Sequence, residues 1–234
     1  MARRDRRRNR SKIRWYHAVI IAVLLVAVVA AAAYTLNHHG PAKPIILYVN
    51  QGNGAVNESN FEDMLNFASS QGFNTVFFQI YRQGVLLFNT QQLQSFVNQS
   101  HAMDVKIFFA LYITNSSQPL PTSVYGLGED GINLDMSTLD LVSQERYLAS
   151  LTAGFQGETA MTTTDMTSPL KPNLLVLETY GTAYQQFIKP GIIASVGVFT
   201  TSSAQDYHSQ FQYALQNSDG VMVFDYAGLM KHGY

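Results

Sequence analysis

The stretch "NTVFFQIY", residues 74–81, is apolar on both alternating faces and closes on polar Arg82. A run of this length, rich in aromatic and β-branched residues, reads as a strand buried on both sides. The same form stands on either side of it, as "IILYVN" (45–50) and "VKIFFALYIT" (105–114). The three centres, near Leu47, Phe78 and Phe109, are 31 residues apart. Between the first two, Phe61, Met64, Leu65 and Ala68 fall at i, i+3, i+4 and i+7, and Gly72 supplies a stop. Leu93, Phe96 and Val97 repeat the pattern more briefly before Asp104. Strand, helix, strand at this spacing predicts βαβ units and a parallel sheet.

The second half is less regular. "NLLVLETY" (173–180), "IIASVGVFT" (192–200) and "VMVFDY" (221–226) read as strands, and Tyr207, Phe211, Ala214 and Leu215 mark a helix before the last of them. "GINLDMS" (131–137) and "GETAMTT" (157–163) are weaker strand signals around a helix over 139–155. Six firm and two weaker strands in βα order predict a compact (β/α)8-barrel-like domain with reduced helices. About 200 residues is near the lower size for that fold, and residues 45–234 number fewer. Only nine residues follow Asp225, which leaves no room for a closing helix. The alternative is an open doubly wound parallel sheet. It lacks its phosphate signature, because "NQGNGAVN" after the first strand is not G-x-G-x-x-G.

Charge is segregated along the chain. Residues 1–14 carry eight of the 15 Lys and Arg, leaving seven basic against fifteen acidic residues beyond them. Residues 18–33, "AVIIAVLLVAVVAAAA", have no polar side chain, and the span 17–36 matches the roughly 20 residues needed to cross a bilayer. Trp15, Tyr16 and Tyr34 suit the interfaces, and the flanking charge puts the N-terminus inside. The expected organisation is a basic cytoplasmic tail (1–16), a transmembrane signal-anchor (17–36), a linker (37–44) and an external domain (45–234). A cleaved secretory signal is the rival reading of the span. Nucleic acid is not expected as a partner, since the basic run adjoins an apolar span. The absence of cysteine excludes thiol catalysis and Cys-ligated zinc.

In parallel α/β folds the C-terminal ends of strands carry the site. Four acids are assigned to such ends: Asp135, Glu158, Glu178 and Asp225. Beside them stand Tyr48, Asn50, Gln79, Tyr81, Arg82, Tyr112, Tyr180 and Tyr226 as candidate substrate-binding residues. Paired carboxyls suit glycoside hydrolysis, one protonated toward the leaving oxygen and one acting as nucleophile or base. Tyrosine faces offer platforms for sugar rings. No histidine falls at a predicted strand end, so neither a Ser–His triad nor a His-rich metal site is expected; a carboxylate-bound Ca2+ or Mg2+ stays open, no metal ligand is assigned, and no cofactor is implied.

Three segments carry a resemblance to a known family. "FNTVFFQIYRQGVLLFNT" (73–90), "INLDMSTLDLVSQERYLASLTAGFQGE" (132–158) and "DGVMVFDYAGL" (219–229) resemble segments of the glycoside-hydrolase-like (β/α)8 proteins of microbial cell surfaces. The resemblance implies a barrel with its site at the mouth and a polysaccharide or cell-surface glycan as partner. It carries the acid of a D-G-I-x-x-D strand onto Glu158, within Gly157-Glu158-Thr159-Ala160-Met161. The expected catalytic pair is therefore Glu178 and Glu158, with Asp225 and Asp135 in reserve. A non-catalytic glycan-binding or envelope structural protein is the alternative.

Overall fold

Eight parallel strands close into a ring. In the computed structural model, which describes residues 42–233 apart from 53–55, 166–168, 181–183 and 201–202, the strands are β1 (Ile45–Val49), β2 (Thr75–Arg82), β3 (Val85–Leu86), β4 (Lys106–Tyr112), β5 (Gly131–Asp135), β6 (Glu158–Thr163), β7 (Leu174–Glu178), β8 (Ile193–Gly197) and β9 (Gly220–Phe224). β1 pairs with both β2 and β9, which closes the sheet and removes the open doubly wound alternative. β3 lies outside the ring as an antiparallel hairpin partner of β2. The expected basic tail and membrane span lie outside the described residues. Among those described, no helix is long and apolar enough to cross a membrane.

The reduction in helices is real, with one correction. The helices are α1 (Phe61–Ser70), α2 (Thr90–Ala102), α3 (Leu141–Gly154), α4 (Ala204–Asn217) and α5 (Tyr226–His232). The expectation that nothing helical follows Asp225 fails. Asp225 itself caps α5, its Oδ1 accepting from the Gly228 N–H at 2.9 Å, and Gly233 ends it in the left-handed region. α2 begins with a reciprocal capping box between Asn89 and Gln92, and α3 with Asp140 on the Ser143 N–H.

Alternation along each strand divides the core in two. Ile46, Tyr48, Phe77, Phe108, Ala110, Val176 and Met222 fill the barrel interior. Leu47, Val76, Phe78, Phe109 and Val223 point outward to the helices, where Phe61 stacks on Phe96 with centroids 4.3 Å apart. The interior is packed tightly enough to dictate a glycine. A Cβ at Gly131 would stand 2.1 Å from the Phe108 ring and 2.6 Å from the Glu158 carbonyl oxygen. Backbone on one side leaves the ring little freedom to retreat. Gly131→Ala is therefore expected to destabilise the fold by about 1–3 kcal/mol, read as a lower denaturant midpoint. An unchanged midpoint would show that the barrel floor can relax around the methyl group.

Candidate functional site

The C-terminal ends of the strands surround a cavity of about 310 Å³. At its base are two carboxyls. Asp135 ends β5 and is only 5% exposed, and Glu178 ends β7. The Ser137 hydroxyl joins them, lying 3.1 Å from Asp135 Oδ1 and 2.5 Å from Glu178 Oε1. The two contacting oxygens are thus less than about 6 Å apart, within the span of paired catalytic carboxyls. On its other side Asp135 Oδ2 accepts from the Tyr48 hydroxyl at 2.8 Å. The Gln79 side chain in turn hydrogen-bonds Tyr48.

A hydroxyl has one proton, and this fixes how the chain can be filled. If Ser137 donates to Glu178, its contact with Asp135 is satisfied when Asp135 carries a proton and donates to the Ser137 oxygen. The short Ser137–Glu178 contact is of the length found for a hydroxyl on an ionised carboxylate. Electrostatics favours such a single proton. Burial pushes Asp135 up to about 6, with Glu178 adding to the shift and the bonds from Tyr48 and Ser137 opposing it. Burial also raises Glu178, against the Ser137 bond. Tyr48 and Tyr180 are held well above the ordinary phenol value, first by burial and then by Asp135 and Glu178 respectively, so both remain donors.

Of the candidate binding residues, Tyr48, Asn50, Gln79, Arg82, Tyr112 and Tyr180 line the cavity. Tyr81 does not, because of a bulge. Gln79 pairs with Ala110 and Tyr81 with Leu111, so Ile80 is an extra residue in β2. The bulge reverses the alternation. It turns Tyr81 into the outer core, where its hydroxyl donates to the Pro119 carbonyl at 2.6 Å, and brings Arg82 to the cavity. Tyr226 is also elsewhere, as the first residue of α5, edge-on to Phe67 with centroids 5.4 Å apart.

Two of the four acids are displaced from the site. Glu158 begins β6 rather than ending it, so it stands at the opposite end of the barrel beside Lys106, at 3.5 Å. Both members of that pair are exposed, and it contributes little. The strand pattern carried onto Glu158 is spelled one strand earlier, by Asp130-Gly131-Ile132-Asn133-Leu134-Asp135. Asp225 follows the last residue of β9, does not line the cavity, and its Oδ1 accepts from the Gly228 N–H of α5. Ser137, Thr138 and Phe224 line the cavity without having been singled out. The Asp135-x-Ser137 spacing was the available signal for the first of these.

A closed ring of eight parallel strands with a carboxyl pair at its mouth places the chain among the TIM barrels. Tryptophan synthase from M. tuberculosis is similar in structure, with a TM-score of 0.52 and 12% identity over 77% of this chain and 83% of that one. So is a noncanonic maltogenic α-amylase from Thermotoga neapolitana, with a TM-score of 0.50 and 11% identity over 78% and 67%. At these identities the likeness is one of fold. No family model matches the sequence, and no curated protein matches it.

Proposed function

We propose that this protein is a membrane-anchored glycoside hydrolase acting outside the cell, with Asp135 as proton donor and Glu178 as nucleophile. The observation that carries the reading is the Ser137-bridged carboxyl pair at the base of the barrel-mouth cavity. Asp135, raised toward neutral pH, gives its proton to the glycosidic oxygen as the bond to the anomeric carbon breaks. Glu178 forms the new bond to that carbon. Water then attacks the glycosyl ester, loses its proton to Asp135 and restores both groups. The oxygen separation favours this double displacement over the roughly 6.5–9.5 Å arrangement that leaves room for a direct water attack. Tyr48 orients Asp135, and Tyr180 closes the cavity beside Glu178. Support for a glycan as substrate comes from the aromatic lining and from the fold shared with an amylase. The anchor rests on the segregated charge and the apolar run 17–36.

The test uses the full chain in its membrane. Release of reducing ends from a panel of polysaccharides is expected, from a fraction that resists alkaline-carbonate extraction and is digested by external protease. Binding of a glycan without any hydrolysis would instead identify a non-catalytic receptor. Extraction into the soluble fraction would remove the anchor.

A further inference from the structure

Arg82 is the observation that the reaction does not use. It reaches the cavity through two backbone devices. The β2 bulge turns it inward, and Gly52 leaves the space its guanidinium fills, since a Cβ there would lie 1.9 Å from Arg82 Nη1. The guanidinium sits 6.0 Å over the Tyr112 ring and makes no ion pair or hydrogen bond with any described residue. This is not for want of acids, because fifteen acidic residues stand against seven basic ones beyond residue 14. The other described arginine, Arg146, is committed to the Ser116 carbonyl and the Tyr147 ring. Asn50 and Gln79, on the same side of the cavity, already accept from the Gly52 and Gln51 N–H groups. A planar fork of N–H donors with no partner among the described residues is matched to a carboxylate.

Position adds to the argument. In the ring order β1-β2-β4-β5-β6-β7-β8-β9, β2 and β7 stand opposite each other. Arg82 therefore faces Glu178 across the cavity, with the Phe224 ring between the two walls, 5.0 Å from Tyr48 and 6.2 Å from Tyr180 by ring centroids. A sugar lying between the walls would meet the nucleophile on one side and a cation on the other.

We propose that the substrate glycan is acidic and that Arg82 is a specificity residue binding the carboxylate of a uronic acid unit in this cavity. The proposal rests on the glycan reading above. Its test measures calorimetric binding of oligogalacturonate, oligoalginate and hyaluronan oligosaccharides to the full chain in detergent micelles, each beside its methyl ester. The preferred acid is expected to bind roughly tenfold or more tighter than its ester. In Arg82→Gln that ratio should fall to about one, with Arg82→Lys intermediate. Equal affinity for acid and ester, or a ratio unmoved by Arg82→Gln, overturns the proposal and leaves the hydrolase reading intact if neutral glucan or xylan is bound and cleaved. Binding of no glycan at all overturns both.

Discussion

Glu178→Gln is expected to lower kcat on the hydrolysed glycan by roughly a thousandfold or more while changing KM little. The amide keeps the shape of the side chain and can still accept the Ser137 hydroxyl, now 2.5 Å from Glu178 Oε1. Binding and fold should therefore persist, and only the bond to the anomeric carbon is lost. Glu178→Ala separates a nucleophile from a group that merely holds charge. It opens a space beside the anomeric carbon, and added azide should restore turnover by forming a glycosyl azide of inverted configuration. The unmodified protein should give a first-formed product of retained configuration by proton NMR. Retention follows from a carboxyl separation too short to seat water between acid and base. Wild-type turnover in Glu178→Gln, or an inverted product from the native chain, would move the nucleophile away from Glu178.

How much of this was legible beforehand depends on what each residue's position encodes. The barrel was legible, because doubly buried parallel strands write themselves as continuous apolar runs such as "VKIFFALYIT". Its closure was less so, since it rests on β1 pairing with β9, a contact between the two ends of the domain. Asp135 and Glu178 are both legible as strand-end acids, yet the sequence favours Glu158 over Asp135. The cause was a choice of strand end. "GETAMTT" is a strand whose acid comes first, so in a parallel barrel Glu158 belongs to the end away from the mouth, and it is the likeness to a D-G-I-x-x-D strand that sets it among the mouth acids. Tyr81 failed for a different reason. Period-two alternation puts Gln79 and Tyr81 on one face, and a single bulged residue undoes this without any change in composition. Asp225 looked like a strand-end carboxylate because the short helix after it was not foreseen. Its role as a cap is visible in Asp225 Oδ1 and the Gly228 N–H, a local pairing that the closing residues could have suggested.

Asp135→Asn should be inactive on unactivated glycans and yet more stable than the native protein at neutral pH. The sign follows from proton uptake. Folded Asp135 holds its proton up to about pH 6, whereas the unfolded chain releases it near the ordinary value of about 4. Between those values the native state binds more protons than the unfolded state, so stability falls as pH rises through the window and stays lowered above it. About two pH units correspond to about 3 kcal/mol, an upper figure for the gain when the charge is removed. Asparagine also preserves the hydrogen-bond chain. Its carbonyl accepts from Tyr48, its amide donates to the Ser137 oxygen, and Ser137 still donates to Glu178. The melting temperature at pH 7–8 should therefore rise by on the order of 5–10 °C. The advantage should shrink on acidification and vanish by about pH 4, where native Asp135 is itself protonated. The burial that supplies a proton near neutral pH is thus the same burial that costs the fold stability, a common trade at catalytic groups. Turnover of the native protein should fall in step as pH rises past about 6, the donor being lost. If Asp135→Asn were instead less stable at pH 7, the Asp135 charge would be a structural anchor for Tyr48 and Ser137, and the proton donor would have to be sought in Glu178.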